Sequence, residues 1–200
     1  MKKLLAIVLT AAMLLAMLCA CAAKPTETAA TDTKATIGIL MPTKEQTIWS
    51  IQGERLTEAF QKAGYATQIE YAEDDSAKQA MQIENMITKG VNVLVIAAVD
   101  CAALTDACEK AKDAGIYVIA DDRLITNTKA VDFYVTFDLV RMGELQGQYI
   151  VDKLDLENQA GPFTLEIFSG SQDDTNSVIF FNGQMRVLQK YIDEGKIVIK

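Results

Sequence analysis

Two hundred residues, 50% apolar and 23% charged, suit one large globular domain or two small ones and exclude a disordered chain. Lys plus Arg number 19 against 27 Asp plus Glu, a net charge of −8, so no basic excess exists to neutralise a nucleic-acid backbone. The chain has no histidine, which removes Ser-His and Cys-His nucleophile pairs, the usual zinc site and the commonest general base.

Met1-Lys2-Lys3 opens the chain with positive charge, and Leu4 to Ala20 follows as an apolar run with Thr10 as its one conventional polar residue. A spanning helix needs about 20 residues, so residues 1–20 read as a secretory signal peptide. Leu18-Cys19-Ala20-Cys21 resembles a bacterial lipobox, which implies cleavage before Cys21 and lipid on its sulfur. An uncleaved N-terminal anchor is the other reading. Either way the rest of the chain is expected outside the cytoplasm, held at the membrane. Residues 21–35 contain no large apolar side chain and read as a flexible linker. Of the remaining cysteines, Cys101 and Cys108 lie seven apart in a helical pattern. That is about 10.5 Å of helical rise, too far for a bridge, so two free thiols are expected, with Cys108 in the core beside Leu104, Ala107 and Ala111.

From residue 35 strands and helices alternate. Ala35 to Met41 is a strand stopped by Pro42; Ile48, Leu56, Ala59, Phe60 and Ala63 mark a helix ended by Gly64. Ala66 to Tyr71 is a second strand, and Ala80, Ile83, Met86 and Ile87 form a helical stripe closed by Lys89-Gly90. Val91 to Ala97 is nearly all apolar, as a central parallel strand covered on both faces should be. Leu104 to Ala111 is helical, Ile116 to Ala120 a fourth strand and Val131 to Phe137 a fifth. The strand spacing is that of βα units, which predicts an α/β fold with a doubly wound parallel sheet. Asp121 to Ala130 is too short for an ordinary helical crossover, so the placement of the fifth strand is left open. A second series follows: a helix around Met142, Leu145 and Tyr149 with Gly143 and Gly147 at a close-packing spacing, a strand Phe163 to Phe168, a helix around Val178 to Leu188, and a strand Lys196 to Ile199. Residues 36–138 thus predict a complete first lobe. Residues 139–200 predict the beginning of a second, similar lobe that cannot close a layered core alone, as in a C-terminally truncated fragment.

Ligands of open α/β sheets sit at the carboxyl ends of the strands. Here those ends carry Pro42-Thr43-Lys44 and then Trp49, Asp100, Asp121-Asp122-Arg123, Asp138, and the run Ser169 to Asn176. Carboxylates that accept from paired hydroxyls, a guanidinium fork and an indole for the apolar face of a ring are the groups that sugar recognition needs. Several have a plainer reading: Asp100 and one of Asp173, Asp174 and Thr175 as helix N-caps, Trp49 as core, Asp121 as a solvated turn residue. Asp122-Arg123 points to ligand contact. Arg123 would oppose a cation at Asp121-Asp122, and no phosphate-binding glycine motif occurs, so no metal or cofactor is expected.

Ile37 to Lys44, Gln82 to Val91, Asp122 to Ile125, Thr136 to Asp138, and Gly161 to Asn176 together resemble the ChvE-like multiple-sugar and xylose-binding family of type I periplasmic binding proteins. The resemblance implies a non-enzymatic, monomeric receptor that closes two lobes on a monosaccharide, with one hinge crossing near Phe137–Leu139. It implies delivery to an ATP-binding-cassette permease and, in some members, signalling to a chemoreceptor or sensor kinase. Position by position, Trp49, Asp122 and Arg123 match sugar contacts of the first lobe, and Glu166, Asp174 and Asn176 those of the second. Lys44, Asp100 and Asp138 are further candidates from their strand ends. Ile48 stands where the family commonly has Arg, Leu139 where it has Asn, and Thr175 where it has Asn. A nucleoside or autoinducer receptor and a carboxylate-dependent hydrolase are the alternatives. A repressor's effector domain shares the fold but not the signal peptide.

Overall fold

The computed structural model describes residues 35–200. The signal peptide, Cys21 and nearly all of the linker lie outside the described residues. Val93-Leu94-Val95-Ile96, apolar on both faces, forms β3 (Val93–Ile96) and takes the centre of a five-stranded sheet in the order β2-β1-β3-β4-β5. Its neighbours are β1 (Thr36–Met41), β2 (Ala66–Tyr71), β4 (Tyr117–Asp121) and β5 (Val131–Val135), all parallel. The helices α1 (Thr47–Lys62), α2 (Ser76–Thr88) and α3 (Thr105–Asp113) link the first four strands. One face of the sheet packs Leu40, Leu94, Ile96 and Val118 against Ile83 and Met86 of α2 and Ala107, Cys108 and Ala111 of α3. The other packs Ile37, Ile39, Met41 and Val95 against Trp49, Leu56 and Phe60 of α1. The expected doubly wound parallel sheet is therefore what the chain builds. On the α1 side the cover stops short of β4 and β5, where Tyr117, Phe133 and Val135 are exposed.

The fifth strand pairs parallel with β4 although residues 122–130 contain no helix. The connecting loop does a helix's work by burying Ile125 and Ala130 in the α2–α3 side of the core and donating Thr126 N–H to Cys101 O at 2.8 Å. Asp132 bridges the irregular register at Val118, accepting from Val118 N–H at 2.9 Å and pairing with Lys112.

Residues 139–200 form α4 (Leu139–Leu154), β6 (Phe163–Leu165), α5 (Thr175–Asp193) and β7 (Ile197–Ile199), with β6 and β7 paired parallel. This segment buries a small cluster of its own and leaves Phe168, Val178, Phe181, Val198 and Ile199 exposed. Val151, Leu156, Leu188, Tyr191 and Ile197 are buried together, because α4 and α5 approach closely enough to seal them. A Cβ on Gly143 would lie 2.4 Å from Phe180 O, and one on Gly183 2.5 Å from Val140 O. The glycines are what permit the crossing. The strand expected to reach Phe168 stops at Leu165, since Phe163–Leu165 is the length that β7 pairs, and Phe168 is exposed. Cys101 and Cys108 are free and buried as expected, but Cys101 lies in the turn before α3, not on the helix. Burial pushes the Cys108 thiol up to about 12, so it is an inert core side chain.

Candidate functional site

The strand order reverses between β1 and β3, and the carboxyl ends on that side carry the polar residues. Past the end of β4 the chain turns sharply. Asp122 takes φ +63°, and Arg123 N–H donates to Asp121 O at 2.7 Å, closing a three-residue turn of the rare, strained kind. Asp tolerates this backbone better than most residues. The turn is held by Asp122 N–H donating to Val135 O at 2.9 Å and by Tyr134 Oη donating to Asp122 O at 3.1 Å. Backbone strain held in this way is concentrated at ligand sites.

The start of α5 closes on this turn. Asn176 Nδ2 donates to Asp122 Oδ1 at 2.9 Å and to Asp122 O at 3.2 Å. Asp174 Oδ1 caps α5 by accepting from Asn176 N–H at 2.9 Å, while its Oδ2 lies 3.1 Å from Arg123 Nε. Arg123 Nη1 donates to Ala98 O at 2.9 Å beyond β3, and its guanidinium carbon sits 5.1 Å from the centre of the Trp49 ring. Cys101 adds a further link, its N–H donating to Asp173 O at 3.4 Å and its Sγ 3.6 Å from Thr175 Oγ1. Trp49, Asp122, Arg123, Asp174 and Asn176 thus form one cluster at the seam between the two sheets' elements. Two buried atoms of that cluster, Trp49 Nε1 and Asn176 Oδ1, have no hydrogen-bond partner among the described residues, whereas Arg123 Nε is ion-paired with Asp174. Buried donors and acceptors without a partner are costly.

The other candidates stand apart. Lys44 lies 4.9 Å over the Tyr71 ring near β2. Asp100 caps the turn that follows it, accepting from Ala102 and Ala103 N–H at 2.8 and 3.0 Å, which is its plainer reading. Asp138 caps α4, accepting from Arg141 N–H at 2.9 Å. Glu166 is exposed just past β6, and among the described residues no contact joins it to the cluster. Trp49 is both core and cluster, buried in the α1 face with Arg123 against its ring.

Asp121, expected as a solvated turn residue, is instead 8% exposed and accepts from Gln52 Nε2 of α1 at 2.6 Å. Strand alternation turns its side chain under α1. Burial first, and the charge of Asp122 second, raise its carboxyl to about 6, with the Gln52 bond opposing. Asp122 is raised too, by burial and by Asp174, against Arg123 and Asn176. A raised folded value means that the folded chain holds the Asp121 proton more tightly than the unfolded chain does. The contribution of Asp121 to stability is therefore greatest below pH 3.8, falls as pH rises to about 6, and is lost at pH 7. Asp121→Asn is expected to raise stability at pH 7 by on the order of 2 kcal/mol and to flatten this part of the profile, as read by urea unfolding between pH 4 and 7. Gln52 and Tyr134 were missed in the sequence. Gln52 had a signal, one turn beyond Trp49 on the same helix face.

The model of the periplasmic binding protein domain matches residues 37–200. The chain belongs to the periplasmic binding protein family. This family member is 51% identical over 166 residues to the multiple sugar-binding periplasmic protein SbpA of Azospirillum brasilense, covering 83% of this chain and 46% of that protein. It is equally similar, 51% over 167 residues, to the multiple sugar-binding periplasmic receptor ChvE of Rhizobium radiobacter, covering 84% and 47%. Among solved structures, an ABC transporter solute-binding protein from Clostridium phytofermentans with bound β-D-glucose superposes with a TM-score of 0.80 at 44% identity, covering 82% of this chain and 51% of that one. The periplasmic binding protein described here spans about half the length of these relatives. Among its described residues, no group of three or more His, Cys, Asp or Glu is placed to hold a metal ion, and no helix is long and apolar enough to cross a membrane.

Proposed function

We propose that the chain is the monosaccharide-binding part of a receptor for an ATP-binding-cassette importer, closing its two lobes on an aldose. The observation that carries this is the Asp122–Arg123 turn facing Asp174 and Asn176, with Trp49 behind it. Asp122 and Asp174 accept from sugar hydroxyls, Arg123 and Asn176 donate, and the indole takes the apolar ring face. In the present structure these groups pair with one another. A sugar replaces the Asp122–Asn176 and Arg123–Asp174 contacts and so bridges the same two segments, which is how binding favours the closed form. Glu166 joins the site in this reading by a shift of the segment after β6, while Lys44, Asp100 and Asp138 stay peripheral. Phe137–Leu139 is the hinge. The relatives bind multiple sugars by name, and the solved neighbour holds β-D-glucose, which supports an aldose over a nucleoside or autoinducer. A hydrolase would need Asp121 and Asp122 to work on one substrate bond. Both carboxyls are raised, but Asp121 lies under α1, bonded to Gln52, and so does not share the Asp122 side of the turn. A thermal-shift panel of pentoses, hexoses and nucleosides tests the reading: stabilisation by aldoses alone supports it, and stabilisation by nucleosides alone overturns it.

Lipidation of Cys21 would hold this receptor at the outer face of the cell membrane beside its permease. The fourteen residues after Cys21, fully extended, would reach roughly 46–50 Å. Cys21→Ser is expected to release the protein to the medium or leave its signal uncleaved, as seen by fractionation and intact mass. A cleaved signal with unchanged membrane attachment would refute the anchor.

A further inference from the structure

Gln52 and Asp121 lie outside the cluster itself, and the role assigned to them rests on the monosaccharide reading above. Helix α1 packs over β1 and β2, whereas the Asp122–Arg123 turn belongs to β4, two strands away in the sheet order. Two side chains on one face of α1 span that gap. Trp49 lies against the Arg123 guanidinium, and Gln52, one turn further on, donates to Asp121 Oδ2 at 2.6 Å. Asp121 is joined to Arg123 through the strained turn at Asp122, so the contacts form a closed circuit: Gln52 to Asp121, along the backbone to Arg123, across to Trp49, and back along α1.

We propose that the Gln52–Asp121 hydrogen bond is a strut that positions Trp49 over Arg123, and that Asp121, which does not face the sugar, thereby sets how tightly the site holds it. A short bond from an amide to a carboxylate is stronger than one between neutral groups. It fixes the first turns of α1 relative to the end of β4, and with them the distance between indole and guanidinium. Without it Trp49 keeps its apolar neighbours but loses its register with Arg123. The groups around Asp121 make its charge consequential. The ionisable neighbour acting on it is Asp122, next in the chain; α1 offers the neutral Gln52, and β5 places Val135 at its register position. No cation among these neighbours holds the charge in place, and the carboxyl titrates at about 6. Proton uptake removes the charge, and a bond to the remaining neutral carbonyl oxygen is weaker, which loosens the strut. Both Gln52 and Asp121 are positioning residues in this account.

Trp49 is the only tryptophan in the chain, so its fluorescence reports the strut with or without sugar. The 200-residue chain is compared as wild type, Gln52→Leu and Asp121→Asn between pH 7 and 5, with D-glucose and D-xylose affinities measured at both ends. Wild-type emission is expected to change with a midpoint near pH 6. Gln52→Leu should show at pH 7 the emission that the wild type shows at pH 5. Asp121→Asn, whose amide oxygen still accepts from Gln52, should give a flat profile. Sugar affinity should fall about fivefold in Gln52→Leu at pH 7 and in the wild type at pH 5, the loss expected of one hydrogen bond, and should not depend on pH in Asp121→Asn. Wild-type emission and affinity in Gln52→Leu, or a pH step that survives in Asp121→Asn, would overturn the proposal. If no form binds either sugar, the monosaccharide reading falls, and the emission profiles still decide for or against the strut.

Discussion

Replacing Asp122 by alanine should reduce monosaccharide affinity at least tenfold. Its carboxylate is the acceptor that faces Asn176 across the seam, and a hydrogen bond to a charged group is worth about 1.5–3 kcal/mol, where each 1.4 kcal/mol is a factor of ten. Alanine also removes the side-chain partner of Asn176 Nδ2 and must adopt φ +63° without the local hydrogen bonding that lets Asp tolerate it. Part of the loss could therefore come from the backbone, and Asp122→Asn separates the two. The amide keeps the turn, its tolerance and one acceptor oxygen, but loses the charge and replaces the second acceptor with a donor. Affinity should fall tenfold or more in both variants, with melting temperature reduced in the alanine variant alone. Unchanged affinity in the asparagine variant would give Asp122 a structural role and leave the site without its main acceptor.

The largest stability effect is expected at Gly183. A Cβ there would lie 2.5 Å from Val140 O and 2.9 Å from Gly143 Cα, backbone atoms that cannot move aside as a side-chain end would. Glycine inside a helix ordinarily costs up to about 1 kcal/mol against alanine, so an uncrowded site would gain from substitution. Gly183→Val instead should force α4 and α5 apart and open the core formed by Val151, Leu188 and Tyr191, for a loss of about 3 kcal/mol in urea unfolding at pH 7. Because α5 begins with the residues that close on Asp122, sugar affinity should fall as well. A variant as stable as the wild type would mean that the two helices can repack, and that glycine at this position has no packing role.

The sheet was legible because its strands are short apolar runs at βα spacing, with glycines marking the helix ends; Val93–Ile96 could be placed centrally from its composition alone. The edge strand β5 was not, because its crossover replaces a helix with a loop whose two buried residues, Ile125 and Ala130, give no periodic signal. Asp122 and Arg123 were visible as charge at a strand end. Asp121 beside them was misread, since strand alternation turns it under α1 and only the three-dimensional approach of Gln52 reveals that. Asp174 and Asn176 stood in a polar run past a strand end, and the family resemblance singled them out of it; their distance to Asp122 and Arg123 depends on how α5 meets β4, which no local pattern encodes.

The central claim is that one aldose binds at the Asp122–Arg123 turn. Isothermal titration of the chain with D-glucose and D-xylose, alongside Asp122→Asn, tests it most directly. The account predicts a saturable one-to-one heat with at least one of the two sugars, reduced tenfold or more in affinity by the substitution. Saturable binding that the substitution leaves untouched, or a nucleoside that binds where neither aldose does, would contradict it.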